Sequence, residues 1–582
     1  LSVCEAIVNE MLMHGSNAQA SRLIWRTRYA APGERAPSDT FARLAHALAA
    51  PEADPASWEA RFQSVLDDMR FLPAGRILAG AGLSEAPTLC SCFVVDRLKD
   101  TPEGVMAGLG EGMTTLLDGG GVGVDFSPLS PAGAPGWRGA LAPGPVAFIH
   151  LWQAATEAFL AHAGRGGALM ASLRCDHPDI EAFLAAKASP GVLSRFNLSV
   201  QITEDFLAAI AADADWPLVF SGARHHTLRA RALFERIARS AYETGEPGFL
   251  FADQIRRENN LWWREEITAC NPCGEAPLPP GGACVLGSLN LTRFVRHPFS
   301  PEASIDTDAL GAVTRTAVRC LDNVLDLTHF PLGAQAQIAR TSRRIGLGFT
   351  GLGDALVMLG QSYGDERSLE TAAAIMRRMR DEAYAASVSL AQEKGAFPAF
   401  EARPYLASGF ARRLPEDLRA AIARHGIRNS HLLSIAPTGS ISLLAGGVST
   451  GIEPIFAPVQ TRMLREAGGE IVRCELTDPA LHLWRSDDRD AHSLPPGFVS
   501  AQGLSLQAHI DMQAAVQPYV DQAISKTWNI PADCPFEDVR SACLAASGRG
   551  LKGFAVFRAG SREGVLHAGS VRPCSLYEAP CD

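Results

Sequence analysis

Short β-favouring runs alternate with helical stretches along nearly the whole chain, and this alternation constrains the fold more than any other feature. Thr88-Leu89-Cys90-Ser91-Cys92-Phe93-Val94-Val95, Asn197-Leu198-Ser199-Val200, residues 285–291, Leu432 to Ala436 and Gly553-Phe554-Ala555-Val556-Phe557 read as strands. Helical runs over residues 145–162 and 306–329, with another near 505–526, separate them, and Thr203 caps a further helix. No fixed-period repeat or low-complexity linker interrupts the pattern, which predicts one large α/β unit. The first seventy residues differ. A short helix over residues 5–14, a helix capped by Ser38 or Asp39 that runs through Phe41, Leu44 and Leu48, and Trp58, Phe62, Leu66 and Met69 at helical spacing predict an all-helical start, ended by Phe71-Leu72-Pro73-Ala74-Gly75.

At 582 residues the chain exceeds what one core usually fills, large barrels being the exception. A formal charge of −10 argues against a general nucleic-acid or anionic-membrane binder, either of which needs a basic face. There is no uncharged apolar run long enough to cross a bilayer and no basic-then-apolar leader. Thirteen cysteines are too sparse for a disulfide scaffold and fit a reducing cytoplasm, where paired cysteines are more often catalytic or metal-binding.

Chemistry concentrates at Cys270-Asn271-Pro272-Cys273-Gly274-Glu275, followed by Cys284. Pro272 keeps Asn271 out of the helical region and Gly274 relaxes the backbone beyond, so a tight loop presents Cys273 at its tip. Three readings of these cysteines stand side by side. Cys270, Cys273 and Cys284 can be zinc ligands, although Cys90 and Cys92 make a poor second half-site. Cys270 and Cys273 can be a thioredoxin-like pair, although Pro277, Pro279 and Pro280 oppose the helix such a pair opens. The third reading gives Cys273, between a carboxamide and a carboxylate, the chemistry on a substrate and leaves reduction to other cysteines.

Other stretches carry weaker signals. Gly119 to Phe126 lacks the third glycine of a dinucleotide fingerprint and predicts a close backbone approach. Residues 343–354 read as a Gly-rich turn entering a helix, and residues 465–500 as an irregular insertion. Pro437-Thr438-Gly439-Ser440-Ile441-Ser442, after a strand, reads as a phosphate cradle or as an ordinary capped turn. His177 reads as structural, and Cys4, Cys175, Cys320, Cys474, Cys534 and Cys543 as buried small hydrophobes.

Asn271-Pro272-Cys273-Gly274-Glu275 with Cys284 resembles the finger loop of ribonucleotide reductase large subunits. Ser91-Cys92-Phe93-Val94, Arg344-Ile345-Gly346-Leu347-Gly348, Ala436 to Ser442 and Gly451-Ile452-Glu453-Pro454 match other family motifs in order, over roughly residues 20–565. Arg174-Cys175-Asp176-His177-Pro178-Asp179-Ile180-Glu181-Ala182-Phe183 is most similar to the adenosylcobalamin-dependent class. No tyrosine pair follows Leu551-Lys552, where the oxygen-dependent class has one. No cobalamin-binding D-x-H-x-x-G motif is present, so adenosylcobalamin is implied by family rather than read from ligands, and no metal ligand is assigned.

The resemblance implies a ten-stranded α/β barrel of two five-stranded halves around a central finger loop. It suggests a helical region over residues 1–72, the barrel over 73–565 and a cysteine-bearing tail over 566–582. It implies a thiyl radical on Cys273 that takes the ribose 3′ hydrogen, Glu275 as base, Asn271 holding the sugar, and Cys92 with Cys284 as the reducing pair that becomes a disulfide. Ser91, Pro437, Thr438, Gly439, Ser440 and Ile441 would bind the substrate, a ribonucleotide and more specifically a diphosphate. Arg165, Gly166, Gly167 and Arg174 would belong to a loop that senses a deoxynucleotide effector across a homodimer. Cys574 and Cys581 are candidate thiol shuttles from a thioredoxin-like or other dithiol reductant. The competing expectations are a large subunit fed by a diiron small subunit, and a catalytically silent nucleotide-binding homologue.

Overall fold

A computed structural model describes residues 15–84, 86–160, 167–189, 191–466, 470–486 and 493–561. The helix expected over residues 5–14, Cys4, Arg165, Gly166, Cys574 and Cys581 lie outside the described residues.

The N-terminal part is helical: α1 (Gly15–Ile24), α2 (Pro37–Ala49) and α3 (Pro55–Asp67). α2 begins at Pro37, before the expected caps. Asp39 instead sits in its first turn and accepts the amides of Arg35 and Ala36 at 2.7 and 3.1 Å. Met69 falls beyond α3 at φ +53°. Phe71-Leu72-Pro73 does not merely end the helix but forms β1, which ties this region into the main sheet.

That sheet has ten strands. After β1 come β2 (Cys92–Val94), β3 (Gly121–Asp125), β4 (Leu169–Arg174), β5 (Phe196–Ile202) and β6 (Gly248–Phe251). They are followed by β7 (Ala283–Asn290), β8 (Ile345–Thr350), β9 (Thr527–Ile530) and β10 (Gly553–Arg558). Strands β2 to β6 run parallel to one another. β7 is antiparallel to β1 and β2 and parallel to β8, while β10 is antiparallel to β6 and parallel to β9. Residues 432–436 make only isolated parallel bridges, Leu347 with Leu433 and Ile435 with Ile524. These bridges nonetheless link β8 to the segment that leads into β9.

Helices cover the sheet, Thr307–Leu327 and Glu366–Lys394 packing against each other on one side. The apolar core divides into a large cluster around β7, β8 and the N-terminal helices and a second around β3 to β6. Such buried parallel strands read as continuous apolar or Gly-rich runs, not as alternation. This explains one correction: residues 345–350, expected as a turn, are the fully buried β8. The region expected to be irregular contains a hairpin of Val459–Arg465 with Ile471–Thr477 and a helix over Pro479–Ser486. The helix expected near 505–526 stops at Val516, two residues before Pro518. Among the described residues no helix is long and apolar enough to cross a membrane.

Candidate active site

The loop at residues 268–280 runs along the inner face of the sheet, held at several heights. Gln201 Nε2, near the end of β5, donates to Thr268 O at 3.0 Å, and Asn197 Nδ2, near its start, donates to Pro272 O at 2.9 Å. A short ladder pairs Ala269–Cys270 with Pro277–Leu278 and closes the stem. At the tip, Gly274 N donates to Asn271 O at 3.0 Å, with Pro272 and Cys273 in the corner and Gly274 at φ +87°. The expected tight loop is therefore present, and Cys273 is half-buried at its end.

The predicted approach at Gly123 is also present. A Cβ there would lie 1.9 Å from the Cys270 carbonyl oxygen, so β3 admits only glycine beside the loop stem. Gly123→Ala is expected to displace the loop and lower turnover about 10²-fold, the scale of an ångström-level misplacement. Turnover measured beside circular dichroism checks this; unchanged turnover would mean the loop tolerates being moved.

Three polar or sulfur side chains converge beneath the tip. Asn271 Nδ2 donates to Cys92 Sγ at 3.1 Å, and the Cys92 thiol faces Glu275 Oε1 at 3.6 Å. Asn271 Oδ1 accepts the Ala276 amide at 2.9 Å, fixing the carboxamide orientation. Asn271 and Glu275 are fully buried. The Glu275 carbonyl accepts the Ala523 amide at 3.0 Å and the Ser434 hydroxyl at 2.9 Å, so the loop is also gripped by the segments that bridge β8 and lead into β9.

Cys92 stands directly opposite Cys284 in the β2–β7 ladder. Residues so paired have Cα atoms about 4.5–5.5 Å apart, within the roughly 4.4–6.8 Å range of disulfides. Both are buried. Burial pushes the Cys284 thiol well above its ordinary range, with the Arg344 guanidinium as the main opposing influence. Cys90 is likewise pushed up to about 12 by burial. Cys270 is buried with Leu250, Ile255 and Ile267, and among the described residues no three His, Cys, Asp or Glu side chains gather as a metal site.

Cys273 opens onto a cavity of about 560 Å³. Asn197, Ser199 and Gly248 line one side, the strand Gly553–Phe557 another, and Gln460, Arg462 and Thr477 of the hairpin a third. Pro437 and Ser442 reach the cavity, but the hydroxyls expected to cradle phosphate are engaged elsewhere. Thr438 Oγ1 pairs with Thr350 Oγ1 at 2.7 Å and accepts the Gly451 amide at 3.0 Å, Ser440 Oγ accepts the Tyr29 hydroxyl, and Ile441 is buried. Gly439 has open space where a Cβ would be. Ser91 is buried beside Cys92, and its Oγ has no hydrogen-bond partner among the described residues.

Gly167 and Arg174 flank opposite ends of β4, about 20 Å apart at strand rise. Arg174 forms a bidentate pair with Asp176 at 2.7 and 2.8 Å. His177 is structural as expected: Nε2 contacts Leu129 O at 3.0 Å and Nδ1 accepts the Asp179 amide at 3.0 Å. Cys175, Cys320, Cys474 and Cys543 are buried, while Cys534 is only half-buried. Ser434 and Ala523 escaped the sequence reading, since neither carries a motif.

A loop bearing a thiol inside a mixed sheet, above two facing cysteines, defines a class. The family model of the ribonucleotide reductase barrel domain matches residues 90–557, and that of the ribonucleotide reductase all-alpha domain matches residues 16–86. The chain belongs to the ribonucleotide reductase family. It is 38% identical to a vitamin B12-dependent ribonucleoside-diphosphate reductase of Mycobacterium tuberculosis over 89% of this chain and 74% of the relative. It is 33% identical to the protein so named from Thermoplasma acidophilum, over 88% and 66%. A ribonucleoside-diphosphate reductase subunit alpha of Treponema pallidum is 29% identical over 86% and 66%.

Proposed function

We infer that this chain reduces ribonucleoside diphosphates to 2′-deoxyribonucleotides in a vitamin B12-dependent reaction. The observation that carries the reading is Cys273 at the tip of an internally held loop, opening onto a cavity, with Asn271 and Glu275 of the same loop set against Cys92 of the Cys92–Cys284 pair. The relatives' names supply the cofactor and the substrate class. The strand directions favour the finer architecture: β2 to β6 form one parallel half, and β7, β8, residues 432–436, β9 and β10 form the other. The two halves meet antiparallel at β2–β7 and β6–β10, which describes a ten-stranded barrel around the loop.

The residues beside Cys273 fit adenosylcobalamin. A Cβ on Gly274 would meet nothing within 4 Å, leaving room next to the thiol. Ala555 and Val556, in the stretch after Leu551-Lys552 that carries no tyrosine, line the same cavity. Asn197, Ser199, Gln460 and Arg462 would meet the cofactor's carboxamides and phosphodiester. When bound, adenosylcobalamin supplies one-electron chemistry that leaves a thiyl radical on Cys273.

In the proposed reaction Cys273 takes the ribose 3′ hydrogen, and Glu275 accepts the 3′-hydroxyl proton from within about 3 Å or through one water. Asn271 holds the sugar. Cys92 gives the proton with which the 2′-hydroxyl leaves as water. Cys92 and Cys284 then supply two electrons and join as a disulfide, and Cys273 returns the hydrogen to C3′. Burial around the thiols keeps water from the radical. A dithiol reductant restores the pair by exchange. The turn at residues 437–442 faces the substrate phosphates through its backbone amides, with Pro437 and Gly439 permitting close approach.

A homodimer with an effector at its interface belongs to the same reading. Helices α4 (Pro102–Leu117) and α5 (Pro145–Leu160) pack together and leave Met106, Leu117, Leu151 and Phe159 exposed at 58, 53, 40 and 60%. This apolar face, next to the Gly-rich loop that Gly167 ends, fits a second copy of the chain. Phe159→Glu is expected to yield monomers by light scattering and to remove the deoxynucleotide effect on substrate choice. A dimer unaffected by this change would put the interface elsewhere.

The function is tested by anaerobic deoxynucleotide formation from a ribonucleoside diphosphate and a dithiol, with and without adenosylcobalamin. Product only with the cofactor supports the reading. Product without it, or none in either case, contradicts it.

A further inference from the structure

We propose that Lys552 and Asp521 are positioning residues that hold Glu275 in register for proton transfer, acting through the two segments that grip its carbonyl. The inference rests on the role of Glu275 as base proposed above. The Glu275 carbonyl has two donors: the Ala523 amide, in residues 520–523, and the Ser434 hydroxyl, in residues 432–436. Each segment is gathered by a buried charge-bearing side chain.

Lys552, 2% exposed, donates through Nζ to the carbonyls of Val520, Asp521 and Gln522 at 3.2, 2.6 and 2.5 Å. Its own carbonyl accepts the Phe251 amide at 3.0 Å, so the ammonium is anchored in the sheet where β6 meets β10. Asp521 accepts the Leu433 amide on Oδ1 at 2.9 Å, and the Leu432 amide and Tyr384 hydroxyl on Oδ2, both at 2.8 Å. The Gln522 amide bonds the Leu433 carbonyl at 3.1 Å and locks the segments to each other. Movement of either segment therefore moves the loop that carries Glu275, and a base displaced by an ångström loses about 10²-fold in rate.

The clamp needs the charged form of Lys552. Three carbonyls use all three N–H groups of an ammonium, whereas a neutral amine offers two and turns a lone pair toward the third. Burial pulls the ammonium from its ordinary 10.5 down to about 8, with the Glu258 and Asp521 carboxylates opposing and Arg413 adding to the fall. His431, Tyr384 and Tyr405, which belong to the same cluster, are held neutral by burial, and the Arg344 guanidinium beside His431 adds to the effect there. Because the folded value lies below the unfolded one, this group's contribution to stability rises with pH between about 8 and 10.5. Activity lost in that window is then not unfolding driven by Lys552.

The experiment measures kcat and KM from pH 6.5 to 10 on the cofactor-loaded protein, with melting temperature, for wild type, Lys552→Arg, Lys552→Met, Ser434→Ala and Glu275→Gln. Wild type should show an alkaline limb in kcat near pH 8 with KM nearly constant. Lys552→Arg, which keeps a charge, should move that limb upward by more than one pH unit. Lys552→Met should lower kcat about 10²-fold and abolish the limb. Ser434→Ala should lower kcat and leave the limb in place. A limb that stays at pH 8 in Lys552→Arg, or full kcat in folded Lys552→Met, overturns the proposal. Should Lys552→Met fail to fold, Lys552→Arg decides alone. Full turnover by Glu275→Gln would remove the base reading itself, whereas loss there with unaffected Lys552 variants would remove only the positioning role.

Discussion

Cys273→Ser gives a folded protein that binds nucleotide and forms no deoxynucleotide. The expected fall is about 10⁵-fold or more, the scale on which loss of a covalent-chemistry residue is felt. The half-buried thiol tolerates an oxygen in its place, and exposed-side substitutions of this kind cost within about 0.5 kcal/mol. The effect is chemical: an O–H bond is much stronger than S–H, so a radical on the serine oxygen is not reached. Melting temperature and nucleotide affinity near wild type, with product at background, are the expected results. Turnover above about a hundredth of wild type would remove Cys273 from the reaction.

Cys284→Ser separates two halves of the cycle. Cys284 faces Cys92 across the ladder and does not line the cavity onto which Cys273 opens, so in the proposed scheme it acts on Cys92 and not on the sugar. Its loss leaves early hydrogen abstraction within about tenfold of wild type, while multiple-turnover product falls about 10³-fold or more because no disulfide forms. A hydroxyl buried among Leu286 and Gly346 adds up to about 1–3 kcal/mol of destabilisation if it finds no partner. Gln522 approaches the sulfur and is the side chain positioned to offset that cost. Isotope exchange and product assays on one preparation check the separation.

The loop was the most legible part of the sequence because its geometry is local. Pro272 and Gly274 dictate a turn whatever the rest of the chain does, and the turn is present. The glycine approach at Gly123 was readable for the same reason, since only a close neighbour explains glycines inside an apolar strand. β8 was not readable as a strand. Arg344-Ile345-Gly346-Leu347-Gly348 has the glycines of a turn, and only the backbone of Ser434, which a Cβ on Gly348 would meet at 2.4 Å, explains them. The grip on Glu275 was invisible too, because Ser434 comes from 159 residues away and uses an ordinary serine hydroxyl. The turn at residues 437–442 borders the cavity through Pro437 and Ser442, but its Thr438 and Ser440 hydroxyls point into protein contacts that no local pattern encodes.

The most direct test follows the substrate 3′ hydrogen anaerobically, with adenosylcobalamin bound, in wild type, Cys273→Ser and Cys284→Ser. Exchange in wild type and Cys284→Ser but none in Cys273→Ser is the result predicted by assigning abstraction to Cys273 and reduction to the Cys92–Cys284 pair. Equal, complete loss in both variants, or exchange that survives in Cys273→Ser, would contradict it.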